Sequence, residues 1–175
     1  MKNQILQSKW WLPCLPVLFA FTNNRADNTA EQSLFKITRN KDANELFYQV
    51  NKGSNGVLNM VDPVSIHWIK HTKGGKREGL SFLEKKYAYG LRFIVVKSAE
   101  ASFQFVSYSK KSFTLKKNKH GSFKVFTKSK NKEIEVRHIH LQLDGGSFLM
   151  PKITKIILNG SDAATGTAFS EVIIP

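Results

Sequence analysis

The chain has 175 residues, enough for one domain of ordinary size and hardly two. It is 41% hydrophobic, which excludes collagen, coiled coil and a multi-span membrane protein by composition, and its 13 Phe, 3 Trp and 4 Tyr supply enough apolar surface for a core to disfavour disorder. Lys and Arg number 27 against 13 Asp and Glu, a net charge of +14, and Cys14 is the only cysteine, so no disulfide closes within the chain and no cysteine motif for zinc or redox exchange exists.

Residues 1–26 read unlike the rest. Lys2 and Lys9 precede an apolar run of 12 residues, Trp10 to Phe21, and the first acid is Asp27. A basic start followed by about 7–15 apolar residues is the pattern of a secretory signal peptide. The run is shorter than the roughly 20 apolar residues of a spanning helix, and Pro13 and Pro16 break it. Cys14 lacks the small and aliphatic neighbours of a lipidation site, because Pro13 precedes it and Trp11 sits three before it. The pattern predicts an exported protein, periplasmic or envelope-associated, with 1–26 as signal peptide, 27–32 as linker and 33–175 as a single β-rich domain. Cleavage after Ala26 removes three of the 27 basic residues and leaves a mature charge of +11 without cysteine. The competing reading is a cytoplasmic protein that buries this segment.

From residue 33 onward the dominant period is two. Phe35 and Ile37, then Leu46, Tyr48 and Val50, then Val64, Ile66 and Trp68 each occupy alternate positions. Leu91, Phe93 and Val95 continue the pattern, followed by Phe103 and Phe105, Phe113 and Leu115, and Phe123 and Val125. Late strands are expected over 133–143, 153–159 and 168–174. Gly, Asn and Asp clusters separate the runs, and Asn118–Gly121 reads as a hairpin tip. Such spacing predicts a mainly β chain, a single antiparallel β-barrel or β-sandwich. One stretch breaks the period. Ser81 and Glu84 have capping-box spacing, Leu80, Leu83 and Tyr87 repeat at helical spacing, and Gly90 suits a left-handed helix end. One short helix is therefore expected at about 81–89, with Tyr87 anchoring it on the sheet. Phe93, Trp68 and Phe105 are expected deep in the core.

Three stretches, Leu34–Asn40, Pro63–Trp68 and Leu83–Gly90, together resemble the bacterial domain family called domain of unknown function 4833. The Pro-Val-x-Ile-x-Trp strand and the Glu-Lys-Lys-Tyr-Ala-Tyr-Gly helix end are its most specific pieces. The resemblance implies a compact β-rich domain over about 33–175, often behind an export signal. It brings no activity and no functional residue.

No catalytic constellation stands out. His138 and His140 lie two apart on an expected strand and share a face, and His67 and His71 are the other weak candidates for a metal. The apolar phase slips nearby, from Ile134 and Val136 to Ile139, Leu141 and Leu143, which predicts a β-bulge near Arg137–His138 and puts both histidines opposite the core. Glu133 and Glu135 share a face, but Lys130, Lys132 and Arg137 flank them and favour a solvated charge ladder. No Gly-x-Ser-x-Gly elbow and no phosphate loop occurs. No catalytic residue, metal or cofactor is assigned.

The strongest unusual feature is basic. Lys110 to Lys132 holds nine lysines and no acid. In a hairpin, Lys116, Lys117, Lys119 and Lys124 would crowd its outer face and tip, and Phe126, out of phase with the core, would offer an exposed ring for stacking. Such a ribbon attracts anionic envelope lipid or polysaccharide. Nucleic acid is disfavoured, because 22 Lys against 5 Arg leaves few bidentate forks. The leading reading is an exported binding module of unspecified ligand, using this ribbon or a barrel-mouth pocket. A hydrolase with a His-based site and a basic nucleic-acid binder are the alternatives.

Overall fold

The computed structural model describes residues 33–146 and 151–175. The expected signal peptide and linker therefore lie outside the described residues. Among the described residues the chain is mainly β with one short α-helix, and its sheet curls strongly into a half-barrel.

Two antiparallel meanders flank the helix in sequence. The first comprises β1 (Ser33–Arg39), β2 (Asp42–Val50), β3 (Val64–Lys70) and β4 (Lys76–Gly79), with a 3-10 turn at His71–Lys73. The helix α1 (Phe82–Tyr87) follows. The second meander comprises β5 (Leu91–Val96), β6 (Glu100–Phe105), β7 (Tyr108–Lys117) and β8 (Phe123–Ser129). The long strand β9 (Lys132–Gly146), β10 (Pro151–Asp162) and β11 (Ala168–Ile173) complete the sheet.

β9 is the hub. β10 pairs along one edge of it from Ile134 to Gly146. On the other edge β8 pairs with Lys132–Val136 and β1 pairs with His138–Leu141, so the two meanders lie end to end along one strand. The β1–β9 pairing is parallel, which departs from the all-antiparallel expectation. The change of neighbour falls where the apolar phase of β9 slips. There Asn159 pairs with His138 but Gly160 pairs with Val136, so Arg137 is the extra residue of a β-bulge. Gly160 makes this possible. A Cβ at that position would lie 2.1 Å from the Glu135 carbonyl oxygen and 3.1 Å from Ile134 Cγ2.

The bend at the hub lets the meanders face one another. Phe35 stacks on Tyr48 at 4.3 Å, and both meet Phe105 of the second meander edge-on, at 6.1 and 5.8 Å. Phe103 and Phe113 extend this aromatic core. Edge-to-face rings of this kind contribute about 0.5–1.5 kcal/mol each beyond their burial. Trp68 and Phe105 are buried as expected, but Phe93 is only half-buried. β5 pairs with β6 alone among the described strands, so one side of Phe93 has no strand beside it.

The helix forms as its residues dictate and sits differently from expectation. Ser81 Oγ accepts from the Glu84 amide at 3.3 Å, and Glu84 Oε2 accepts from the Ser81 amide at 2.9 Å, a complete capping box. Yet α1 buries none of its residues. Tyr87 is exposed, and the anchor is Tyr89 just beyond the helix, which is buried against Trp68. Gly90 is required, but not for a left-handed turn. Its added Cβ would stand 1.9 Å from the Lys85 carbonyl oxygen, so close approach to the helix end selects glycine.

Candidate functional site

Among the described residues, part of the inner surface of the sheet has no element packed over it and borders a cavity. The aromatic meanders fill one half of the curl. The other half is floored by Ile139, Leu141 and Leu143 of β9, Ile156 and Leu158 of β10, and Ile173 of β11. These aliphatic residues line a cavity of about 690 Å³. Phe105 and Phe113 form its side wall, and Leu83, Tyr87 and Ala88 reach over its mouth. A second register shift in β10, between Ile153 and Lys155, turns both Ile153 and Ile156 into this space.

Polar groups are confined to the margin. Arg39, at the end of β1, donates from Nη1 to Tyr89 Oη at 3.0 Å and from Nη2 to Asp42 Oδ2 at 2.5 Å. Its guanidinium lies 4.5 Å from the Trp68 ring centroid, a cation–π contact. Its buried Nε makes no hydrogen bond to the described residues. Burial raises the Tyr89 hydroxyl pKa, opposed by Arg39, so this group stays a neutral donor at physiological pH. Glu84 accepts from Trp68 Nε1 at 3.0 Å, which ties α1 to the sheet. On the far side of the mouth Lys111 pairs with Glu171 at 2.8 Å. Arg39 and Lys111 are each offset by a carboxylate partner, Asp42 and Glu171, so the margin carries paired charges with no excess positive charge.

The basic hairpin forms, but differently at one position. Phe113, Leu115, Phe123 and Val125 are buried, and Lys116 faces Lys124 across the pair. Lys117 and Lys119 are exposed near the tip. Phe126 is not an exposed stacking ring: it is 5% exposed. The Lys116 ammonium covers it at 4.9 Å from the centroid and is itself held by Glu133 at 2.7 Å. A shallow depression of about 380 Å³ lies beside it, lined by Lys110, Lys111, Phe126, Lys128 and Glu133. The carboxylates Glu133 and Glu171 already engage Lys116 and Lys111 there, which weakens this ribbon as an anion site.

The four histidines do not converge. His67 is buried on β3 and stacks on Phe47 at 5.9 Å. His71 lies in the 3-10 turn and meets Glu45 Oε2 at 3.2 Å. His138 Nε2 and His140 Nδ1 both meet Thr38 Oγ1, at 2.7 and 2.9 Å, so one hydroxyl bridges the pair. Desolvation, then Lys36 and His140, lower the His138 pKa, while Glu45 opposes this. Among the described residues, no three His, Asp or Glu side chains are placed to hold a metal.

A barrel-mouth pocket was expected only in outline, and sequence reasoning assigned to it none of the residues that line this cavity. Its floor residues all carried the period-two signal of a core face. The missing information was which core positions lack a partner layer, and no local pattern encodes that.

The family model for the domain of unknown function 4833 matches residues 35–172. No curated protein and no solved structure matches the chain.

Proposed function

We propose that the chain, which belongs to the domain of unknown function 4833 family, is an exported binding module that takes the apolar chain of an amphiphile into the cavity beneath α1. The observation that carries this reading is the cavity itself. Small-molecule sites are typically about 300–1,000 Å³, apolar, and equipped with a few polar groups. This one measures about 690 Å³, has aliphatic walls, and keeps Arg39, Tyr89 and Lys111 at its margin. Each buried methylene contributes about 0.8 kcal/mol, so roughly ten of them give about 8 kcal/mol, in the micromolar range. The Arg39 Nε, which makes no hydrogen bond to the described residues, favours a head group that accepts one, such as a carboxylate. The leader at 1–26 supports export.

The test is organic extraction of protein purified from its native host, followed by mass spectrometry. The reading expects a stoichiometric amphiphile that is lost from an Ile153→Trp/Ile173→Trp variant with a filled cavity. An empty wild-type protein that also fails to take up added long-chain carboxylate would overturn it.

A further inference from the structure

The helix at the cavity mouth presents its apolar residues to solvent. Phe82 is 73% exposed, Tyr87 59% and Leu83 44%. Lys85 and Lys86 are exposed beside them. The Lys86 ammonium lies 5.6 Å from the Phe82 ring centroid and 5.0 Å from that of Tyr87, so rings and cations form one patch. The helix's single acid, Glu84, is engaged by Trp68 and Ser81 instead. Val106, 38% exposed, is held next to the helix end by the hydrogen bond that its backbone N–H donates to the Gly90 carbonyl at 3.0 Å.

We propose that this patch docks the protein on an anionic bilayer, with Phe82, Leu83 and Tyr87 in the headgroup region and Lys85 and Lys86 on lipid phosphates. Aromatic rings beside lysine suit an interface that is apolar below and negatively charged above, where lysine stems lie along apolar groups with the ammonium in the charged layer. An acidic protein surface would match the lysines but would leave three exposed apolar side chains without a counterpart. The inference rests on the cavity reading for its purpose. Leu83 and Tyr87 belong to both patch and mouth, so docking sets the mouth against the acyl chains and lets one pass into the cavity without crossing water.

The experiment is flotation of the protein with vesicles of phosphatidylglycerol and phosphatidylcholine, against vesicles of phosphatidylcholine alone. The expected result is binding to the first only. Each lysine near an anionic surface contributes about five-fold, so Lys85→Gln/Lys86→Gln lowers partitioning roughly thirty-fold. Phe82→Ser lowers it as well. Lys117→Gln/Lys119→Gln serves as the control, since β7 runs 10 residues, roughly 30 Å, from the mouth to that hairpin tip. Loss in the control equal to that in the helix variants would mean general cationic adsorption and would overturn the proposal, as would no binding to anionic vesicles. Uptake of a long-chain carboxylate in vesicle-free buffer is measured on the same proteins. Lys85→Gln/Lys86→Gln keeps that uptake. Vesicle binding without uptake refutes only the cavity reading, and uptake without vesicle binding refutes only the docking.

Discussion

Replacing Gly160 by alanine tests how the sheet divides at its hub. The new Cβ would stand 2.1 Å from the Glu135 carbonyl oxygen and 3.0 Å from its carbon. An ordinary carbon–oxygen contact needs roughly 3.3 Å, so the strands must part by about 1 Å, a fifth of the normal 4.8 Å spacing. Neither side yields readily. β10 is held between β9 and β11, and Ile134 and Val136 beside the clash are fully buried. Lost ladder bonds and repacking at a rigid site predict a cost of about 3–4 kcal/mol, a large share of the ~5–15 kcal/mol of a typical domain. At about 2–4 °C per kcal/mol the melting temperature falls by roughly 6–16 °C. Gly121→Ala is the comparison. Gly121 has φ +76° with nothing within 4 Å, so its cost is the left-handed penalty of about 1–2 kcal/mol and nothing more. Thermal and urea unfolding of both variants give the answer. A Gly160→Ala protein that melts within about 2 °C of wild type would refute the bulge and the packing argued from it.

Further outcomes follow from the same contacts. Glu84→Ala removes the capping box and the Trp68 bond together, and urea unfolding should show a loss of about 1–2 kcal/mol; an unchanged midpoint would mean α1 is not tethered there. Phe126→Ala should cost about 2 kcal/mol by the same measurement, because the ring is buried under Lys116 and not offered to a partner. The His138 pKa is lowered in the fold from its ordinary 6.5, so the unfolded chain binds the proton more tightly. Its contribution is complete above about pH 6.5 and is lost as pH falls from there through the folded value. Wild type should therefore lose more stability than His138→Gln between about pH 7 and 5, and parallel curves would contradict the assignment.

Local chemistry made much of this fold legible. The alternation of Leu46, Tyr48 and Val50, or of Phe123 and Val125, reports a half-buried strand because side chains on a pleat point to opposite faces. The slip between Val136 and Ile139 located the bulge for the same reason, and Ser81 with Glu84 announced the helix start. What failed depended on distant chain. Phe126 looked exposed because its phase was wrong for the core, yet Lys116 on the adjacent strand covers it. Tyr87 looked like an anchor from its helical spacing, but the sheet beneath it is hollow and Tyr89 takes that role. A barrel-mouth pocket was named without its residues because Leu141, Ile156 and Ile173 read the same whether a second layer or a cavity lies opposite them.

Titration of the purified protein with a fluorescent long-chain carboxylate, in vesicle-free buffer, tests the account most directly. Wild type should bind one equivalent with a dissociation constant in the micromolar range, from roughly ten methylenes entering the aliphatic space. The Ile153→Trp/Ile173→Trp variant, both positions lining the cavity and only half-buried, should fold with wild-type circular dichroism and lose binding at least ten-fold. Absence of saturable binding by wild type, or undiminished binding by the filled variant, would contradict the claim that this cavity is the binding site.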